Sequence, residues 1–223
     1  MIKNILIVGA SGLVGGEILK NLKTTNNDLI LLSRKKLLCE NSINQIVIDF
    51  ENIDSLDASL KVDEIYIAIG QKLSLYELVY IKKNNRKSFV NVDYNYIKKV
   101  AEFAKNCGAN SVGLISAIGA NTKSFNTYLK VKGDVEQEIK LFGYKKIIIA
   151  HPSHLLGKRA GEDVPMNVKV FEQITNLFGL LMIGPLQKFR NVEAKKVAKA
   201  IISKMDSVEE GIHYIDYKYF KNF

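Results

Sequence analysis

Cysteine, histidine and long apolar runs are scarce in this sequence, and each shortage argues against a class of protein. The only two cysteines, Cys39 and Cys107, lack metal-like spacing, so we expect reduced thiols in a cytoplasmic protein and no disulfide framework. The three histidines form no zinc-binding pattern, and we predict no metal site. No apolar run approaches the roughly 20 residues that cross a bilayer, and no signal-peptide pattern is visible. We therefore expect neither secretion nor membrane insertion.

Acidic residues are the minority among the charged ones. The 23 Asp and Glu residues stand against 32 Lys and Arg, which gives a formal charge of +9. Such an excess is typical of proteins that bind nucleic acid, and equally of proteins that bind anionic small molecules such as dinucleotides. The basic residues are spread along the chain, with only small clusters such as residues 82–87. A general solvating surface is therefore favoured over a nucleic-acid interface.

The length and the apolar content fit one globular domain. The chain has 223 residues, of which 47% are hydrophobic and 25% are charged. No internal repeat and no low-complexity linker divides it. We therefore expect a single domain over residues 1–223, in which residues 151–223 contribute substrate-side loops and helices. The oligomeric state is not predicted by any pattern in the sequence.

Short apolar segments recur along the first two thirds of the chain and alternate with helical spacing. Segments typical of buried strands are residues 2–8, 29–32, 45–50, 64–70, 111–119 and 146–150. Helical spacing follows the first of these strands and recurs over 90–105 and 126–141. Strands that are apolar throughout and alternate with helices predict an α/β fold with a doubly wound, Rossmann-like parallel sheet.

The last third of the chain does not continue the regular alternation of strand and helix patterns. A polar loop over 157–165 is followed by helical patterns near 165–178 and 191–205, and by a strand pattern over 211–216. We expect this part to pack on the carboxyl ends of the strands as a small C-terminal extension, and not to form a separate domain.

A glycine-rich turn, GASGLVG, lies between the first strand and the first helix. Such a turn directs backbone amides and the positive helix dipole toward one point, which favours a phosphate group. Gly9 would allow the turn, Gly12 the approach of a pyrophosphate, and Gly15 the close packing of helix on strand. The other predicted contacts of the turn are Ser11, Leu13 and Val14. The alternative is a tight turn without a ligand, but the strand–helix context favours dinucleotide binding.

The end of the second strand indicates which dinucleotide is bound. An acidic residue usually occupies this place and binds the ribose 2′-hydroxyl, whereas here the chain has Ser33 and Arg34. A guanidinium can pair with a 2′-phosphate, so we predict NADP rather than NAD. The alternative is that these residues lie on the protein surface and bind no ligand. Asp49, at the end of the third strand, is either an adenine contact or a helix cap.

Ser116, Tyr128 and Lys132 are the candidate catalytic residues. Tyr128 and Lys132 are four residues apart, so they share one helical face, and they follow a strand that ends in Ser116. The same Tyr-x-x-x-Lys spacing occurs at Tyr94/Lys98, Tyr214/Lys218 and Tyr217/Lys221, but none of these pairs follows such a strand. Lys132 shares a face with apolar residues and is expected to be buried. The alternative is an amphipathic helix whose lysine reaches the surface.

These residue types fit the reduction of a carbonyl compound. A phenol of pKa near 10 is a weak acid at neutral pH unless a cation stabilises its phenolate, as Lys132 would. Tyr128 would then protonate the carbonyl oxygen, and Ser116 would form a hydrogen bond to that oxygen. Lys132 would also hold the nicotinamide ribose.

Three segments together resemble the short-chain dehydrogenase/reductase superfamily. They are the turn GASGLVG, the strand end SAIGA, and YLKVKGDVE on the following helix. The similarity is strongest to its atypical NAD(P)H-binding branch, that of the Tat-interacting oxidoreductase-like proteins and their bacterial relatives, and residues 89–121 match that branch almost continuously. The resemblance implies the catalytic roles just given, cofactor contacts from the glycine turn and Arg34, and further contacts from Ala68 and Gly70. His151 replaces an arginine that is usual in the branch, which leaves the role of that position open.

Two functions remain open from the sequence. The first is an NADPH-dependent oxidoreductase that acts on a small carbonyl substrate whose identity is not predicted. The second is a protein that binds NADP(H) without catalysis and regulates a partner. Because a sensor needs the glycine turn but not the Ser116, Tyr128 and Lys132 set, the enzyme is favoured.

Overall fold

Parallel strands form the centre of the protein, which is described here from a computed structural model over residues 2–39, 43–157 and 184–223. The strands are β1 (Asn4–Val8), β2 (Asp28–Ser33), β3 (Asn44–Val47), β4 (Glu64–Ile67), β5 (Ser111–Ile115), β6 (Lys146–Ala150), β7 (Leu155–Leu156), β8 (Val192–Glu193) and β9 (Gly211–Ile215). Within the described residues, β7 and β8 pair with each other outside the main sheet.

The main sheet has the order β3-β2-β1-β4-β5-β6-β9, and each neighbouring pair in it is parallel. In the pair of β1 and β2, Asn4 lies beside Asp28 and Val8 beside Leu32. The strand order reverses direction between β1 and β4, and open α/β sheets bind ligands at such a switch point. This arrangement confirms the doubly wound parallel sheet predicted from the sequence.

Helices cover both faces of the sheet. They are α1 (Leu13–Leu22), α2 (Leu75–Val79), α3 (Lys83–Val90), α4 (Ile97–Asn106), α5 (Thr127–Leu141), α6 (Ala194–Asp206) and α7 (Tyr217–Phe220). A π-helical turn, Asn91–Tyr96, joins α3 to α4, so the chain stays helical from one to the other. Asn126 caps α5, because its side chain accepts a hydrogen bond from the Leu129 amide at 3.1 Å.

The apolar side chains of each strand alternate between two cores. In β1, Leu6 and Val8 belong to the core under α4 and α5, whereas Ile5 and Ile7 belong to the core under α1 and α6. Because both faces are covered, successive positions within such a strand are mostly apolar. This explains why the strands lack the polar alternation of a half-exposed sheet.

Several element bounds differ from the sequence prediction, for local reasons. The third strand ends at Val47 rather than at residue 50, because Asp49 caps a short 3₁₀ helix, Phe50–Ser55. The fourth and fifth strands are also shorter than predicted, since the chain leaves the sheet after Ile67 and Ile115 to line a cleft. The helix expected from residue 90 begins earlier, at α3, where the polar composition of KNNRKSFV hides it.

Among its described residues, the C-terminal part adds β9 to the main sheet, the short pair of β7 and β8, and the helices α6 and α7. The predicted strand over 211–216 is β9 at the sheet edge, and the helix predicted near 191–205 is α6. The helix predicted near 165–178 lies outside the described residues. In the part of the chain that the structure describes, no helix has the length and apolar character needed to span a membrane.

Candidate active site

A cleft of about 570 Å³ lies at the carboxyl ends of the strands, beside the switch point between β1 and β4. Most of the predicted site residues line it together: Gly9, Ser11, Gly12, Leu13, Val14, Ser33, Arg34, Ala68, Gly70, Ser116, Tyr128 and Lys132. Two predicted contacts do not line the cleft. Gly15 is buried beneath the turn, and Asp49 caps the 3₁₀ helix that follows β3.

The glycine turn at the end of β1 leaves no room for side chains on its inner side. Gly9 has a φ of +94°, and a Cβ atom there would lie 2.6 Å from the backbone carbon of Ala68. A Cβ atom on Gly15 would collide with the carbonyl oxygen of Gly9. Because Gly9 and Gly15 have no side chains, α1 can pack directly against the end of β1, and the helix N-terminus lies at the cleft.

The N-terminus of α1 has the features of an anion site. Gly12, its N-cap residue, contributes no side-chain hydrogen bond, and the first turn contains no acidic residue. The first amides of a helix have no intrahelical partner, and the helix dipole is positive at this end. A diphosphate can therefore be held by backbone amides here, which is what the glycine spacing predicts.

The end of β2 carries positive charge into one side of the cleft. Ser33 is buried and its hydroxyl donates to the carbonyl of Lys35 at 2.7 Å, whereas Arg34 is exposed and lines the cleft. Phe50 and Tyr96 form the neighbouring wall, with their rings edge to face at 5.6 Å. An aromatic wall beside a guanidinium suits a purine that carries a phosphate group.

Lys132 lies at the floor of the cleft, within α5. It is only 5% exposed, as its place on the apolar face predicts. Its Nζ atom is 2.9 Å from Oδ1 of Asp93, which belongs to the π-helical turn and is 1% exposed. The other oxygen of Asp93 accepts a hydrogen bond from the amide of Gln71 at 2.7 Å. The ammonium is therefore fixed in direction by a buried carboxylate.

Burial and charge set the ionisation of Tyr128 and Lys132. Burial raises the pKa of Tyr128 most, Lys132 lowers it and Asp93 raises it further, so that the net shift is upward. Burial lowers the pKa of Lys132, but Asp93, Tyr128 and Glu136 together raise it above its usual value. The phenol is thus protonated and the amine charged at neutral pH. Lys132 acts on the phenol in the expected direction, since it lowers the pKa of Tyr128, but burial and Asp93 outweigh it.

Ser116 is held from behind by a second buried carboxylate. Its hydroxyl donates to Oε1 of Glu136, a residue of α5 that is 4% exposed. The same oxygen is 2.8 Å from Nε2 of His151, which follows β6. The expected hydrogen bond from Ser116 to a substrate oxygen thus competes with Glu136.

Asp93 and Glu136 were missed by the sequence analysis, although both leave a signal in it. Asp93 precedes Ile97 and Val100 at helical spacing, and Glu136 follows Lys132 by four residues beside Val135. A carboxylate within an apolar helical face is unusual unless it is paired. Their partners belong to other elements, which spacing within one helix does not identify.

Known proteins of similar sequence point to one family. No family model matches the chain. Protein HTATIP2 of Rattus norvegicus is 32% identical over 164 residues, which are 70% of this chain and 64% of the rat protein, so the match spans less than two thirds of that relative. Protein FMP52 of Lodderomyces elongisporus is 30% identical over 176 residues, covering 71% of this chain and 69% of that protein.

A third relative extends the match over almost the whole chain. Protein FMP52 of Candida albicans is 28% identical over 214 residues, covering 93% of this chain and 88% of that protein. The chain belongs to the atypical short-chain dehydrogenase/reductase family that includes HTATIP2 and FMP52. The resemblance inferred from the glycine turn and the YLKVKGDVE segment is therefore confirmed.

Membership of the FMP52 group corrects one expectation. The cytoplasmic location predicted from the cysteine content is wrong by this comparison, because the matched FMP52 proteins are mitochondrial. Cys39 and Cys107 are both free thiols.

Solved structures of the same fold are more distant in sequence. The aldohexose dehydrogenase of Thermoplasma acidophilum superposes with a TM-score of 0.71 at 16% identity, covering 97% of this chain and 93% of that one. MoeE5, in complex with UDP-glucose and NAD, superposes with a TM-score of 0.70 at 12% identity, covering 97% and 79%. At these identities the likeness shows the Rossmann-like fold that the family shares.

Proposed function

We propose that the protein is an NADPH-dependent oxidoreductase that reduces a small carbonyl compound, with Tyr128 as the proton donor. The observation that carries this proposal is the convergence of Ser116, Tyr128 and Lys132 in the same cleft as the glycine turn. A protein that only binds a dinucleotide has no need of a buried ammonium beside a phenol. Membership of an oxidoreductase-like family supports the same function.

The cleft fits a nicotinamide dinucleotide along its length. Backbone amides at the start of α1 would bind the diphosphate, since this helix N-terminus lines the cleft and its first turn contains no acidic residue. The adenosine half would lie toward Phe50 and Arg34, and the nicotinamide half toward Tyr128 and Lys132. The NAD held by MoeE5, a structure of the same fold, supports this class of cofactor.

The preference for NADPH rests on charge at the end of β2. Arg34 lines the cleft, and the three residues directly after the strand, Arg34, Lys35 and Lys36, include no carboxylate that would repel a 2′-phosphate. An arginine–phosphate pair is a charge-assisted hydrogen bond, worth about 1.5–3 kcal/mol. That energy corresponds to a preference of roughly tenfold or more.

Proton transfer is the task of this chain's own residues. When bound, the reduced nicotinamide supplies a hydride to the carbonyl carbon. Tyr128 gives the proton of its hydroxyl to the carbonyl oxygen, which its raised pKa allows because the phenol stays protonated at neutral pH. Lys132, directed by Asp93, stabilises the phenolate that remains and would bind the nicotinamide ribose.

A Tyr128→Phe variant tests the proposal, because it keeps the ring against Phe89 and removes only the hydroxyl. NADPH affinity should stay close to that of the wild type, while turnover of a carbonyl substrate should fall by about 10²–10⁴-fold, the usual share of a general acid. Binding is measured by titration calorimetry and turnover by loss of NADPH absorbance across an aldehyde, ketone and quinone panel. Full turnover in Tyr128→Phe would remove the phenol from the mechanism.

Tyr94→Phe is the matched control. Tyr94 and Lys98 repeat the same spacing, but neither lines the cleft, and Lys98 pairs with Glu138. This variant should bind NADPH and turn over substrate as the wild type does.

An NADP(H) sensor is the second candidate, and one observation favours it. The hydroxyl of Ser116 and the ammonium of Lys132 are both engaged by carboxylates, Glu136 and Asp93, rather than directed only at the cleft. A sensor would bind NADPH, reduce no compound of the panel, and be insensitive to Tyr128→Phe.

A further inference from the structure

The short helix α2 and the residues before it form an apolar wall beside Tyr128. Leu73 and Leu78 of this wall line the cleft. The side chain of Asn126, the N-cap residue of α5, donates hydrogen bonds to the carbonyls of Leu78 and Val79, at 2.9 and 3.1 Å. Tyr128 lies in the first turn of α5, and it packs with Leu73 against the same small cluster of buried side chains. The wall is therefore fixed next to the candidate proton donor.

The apolar surface continues from this wall to the outside of the protein. Val79 and Tyr76 of α2 are 74% and 65% exposed, and Phe125 is fully exposed. Phe125 directly precedes Asn126, which bonds to the end of α2, so these side chains share one rim of the cleft. In the described part of the chain they are left open to solvent. Exposed apolar surface that adjoins a cleft is typical of a place where a ligand or a partner binds.

The wall cannot replace the hydrogen bonds of a polar substrate. Among the described lining residues of the cleft, Asp93 is the one carboxylate, and it is paired with Lys132. A hydroxylated substrate loses hydrogen bonds to water when it is buried, and polar groups of the protein must replace them. Leu73 and Leu78 offer none at the side of Tyr128, whereas they favour an alkyl or aryl group by removing it from water.

We propose that the substrate is an apolar carbonyl compound, an aldehyde or ketone that carries an alkyl or aryl group of several carbon atoms. This inference rests on the proposed function, because it specifies the substrate of the same site. The carbonyl oxygen lies at the hydroxyl of Tyr128, and the apolar group extends along Leu73 and Leu78 toward Val79 and Phe125. The carbonyl carbon accepts the hydride of NADPH and the oxygen accepts the proton of Tyr128, so that an alcohol and NADP⁺ form.

The position of the wall favours a small ligand over a larger occupant. A lipid membrane or a second copy of the chain would contact the exposed rim, at Val79, Tyr76 and Phe125. Leu73 and Leu78 are instead partly buried and line the cleft together with Tyr128. A small apolar molecule accounts for both parts, because it extends from the reaction site to the rim.

A series of straight-chain aldehydes from propanal to octanal tests the substrate class, with glyceraldehyde as the polar counterpart of propanal. Each added methylene should raise kcat/KM roughly two- to fourfold, because it is removed from water. Glyceraldehyde should be a poorer substrate than propanal. A kcat/KM that is equal along the series, or glyceraldehyde as good a substrate as octanal, would overturn this inference and leave the reductase function intact.

Phe125→Ser and Val79→Ser remove apolar area from the rim without opening the core. In each variant the ratio of kcat/KM for octanal to that for propanal should fall about three- to tenfold, because the end of the longer chain loses its contact. Leu141→Ser is the matched control, since Leu141 is also exposed but lies at the other end of α5 and does not line the cleft. An unchanged ratio in both rim variants contradicts the proposed path of the substrate.

Binding of octanamide separates this inference from the proposed function, because NADPH does not reduce an amide. Calorimetric titration into the NADPH complex should give tighter binding of octanamide than of propanamide, and weaker octanamide binding in Phe125→Ser. A wild type that binds octanamide in this way but reduces no aldehyde refutes the proposed function and supports the apolar ligand. Absence of octanamide binding refutes the apolar ligand.

The same variant identifies a larger occupant of the rim. Cosedimentation with vesicles of phosphatidylcholine and phosphatidylserine, or a dimer in light scattering, is measured for the wild type and for Phe125→Ser. Either property, lost in Phe125→Ser while the aldehyde series shows no effect of chain length, would assign the rim to a membrane or to a second copy and overturn the inference.

Discussion

Lys132 is the residue on which both the phenol and the nicotinamide ribose are expected to depend. A buried ammonium needs a partner, and removing one member of a buried ion pair typically costs about 3–5 kcal/mol. Asp93 is that partner, because its Oδ1 lies 2.9 Å from Nζ of Lys132. It raises the pKa of the amine and fixes the direction of the ammonium group. Asp93 is thus a positioning residue, which acts on the reaction through Lys132.

An Asp93→Asn variant should move the alkaline limb of the activity profile to lower pH. The reduction requires a protonated Tyr128, so activity is lost as the pH rises through the pKa of that phenol. Asp93 raises the pKa values of Tyr128 and Lys132, and removing its charge lowers both. The measurement is kcat over the neutral and alkaline range. Glu138→Gln, a carboxylate of α5 outside the cleft, is the control, and an identical limb in Asp93→Asn would refute this account.

Arg34→Ala should remove most of the preference for NADPH. The loss of one charge-assisted hydrogen bond weakens NADPH binding by roughly tenfold or more, and NADH affinity should hardly change. Both affinities are measured by fluorescence or calorimetric titration. Lys36→Ala removes an exposed cation that does not line the cleft, and it should leave the ratio of the two affinities as it is. Equal wild-type affinities for NADPH and NADH would show that Arg34 has no such role.

At the residue scale, helical spacing predicted more about a side chain than about its partner. The burial of Lys132 follows from the apolar stripe of α5, because one helix face is a local property. Its contact with Asp93, and that of Glu136 with His151, join elements far apart in the chain. No periodicity within a single segment contains that information.

The element that most constrains the site is the turn between β1 and α1. Gly15 lies in α1 against the carbonyl of Gly9, so the helix is as close to the strand as a backbone allows. This contact brings the helix N-terminus to the carboxyl end of β1, where the cleft opens. The cleft thus depends on the absence of a single methyl group.

Gly15→Ala should destabilise the protein, because the new methyl group must displace the turn. Overpacking of this kind typically costs about 1–3 kcal/mol. Gly16→Ala is the matched control in the same helix, where the nearest atom to the new Cβ, the carbonyl oxygen of Ala10, would be 3.3 Å away. That variant should be near neutral, since alanine favours a helix over glycine by up to about 1 kcal/mol. Urea denaturation measures both, and equal stability of the two variants would contradict the close contact.

At the element scale, the sequence predicted the strands and long helices better than the short or polar ones. Strands buried on both faces leave a continuous apolar run, so all six in the first two thirds were located. The helix α2 is a single capped turn, and α3 is largely polar, so neither shows a hydrophobic period. The π-helical turn has no sequence signature, and it carries Asp93.

For the molecule as a whole, a ligand that binds across the switch point joins the two halves of the sheet. The turn after β1 belongs to one half, and Ala68 and Gly70 after β4 belong to the other. A cofactor that contacts both should stabilise the fold only in its bound form, by mass action.

Saturation with NADPH should therefore raise the melting temperature. At a concentration of 100 times Kd the gain is about 2.7 kcal/mol, which is about 5–11 °C for a chain of this size. Differential scanning fluorimetry with NADPH, with NADH and with free adenosine as a control measures it. NADPH should give the largest shift at equal concentration, and adenosine, which lacks the diphosphate, little or none. A melting temperature that NADPH leaves unchanged would argue against dinucleotide binding.

The contrast between exposed Arg34 and the buried pair of Lys132 and Asp93 has a consequence for ionic strength. Mobile ions shorten the reach of a surface charge to about 8 Å at physiological salt, but they do not enter a buried ion pair. Added salt should therefore slow the capture of the cofactor and reduce the advantage of NADPH over NADH. It should leave the proton-transfer step beside Lys132 and Asp93 unaffected. Cofactor binding at Arg34 should therefore depend on ionic strength, whereas the chemical step should not.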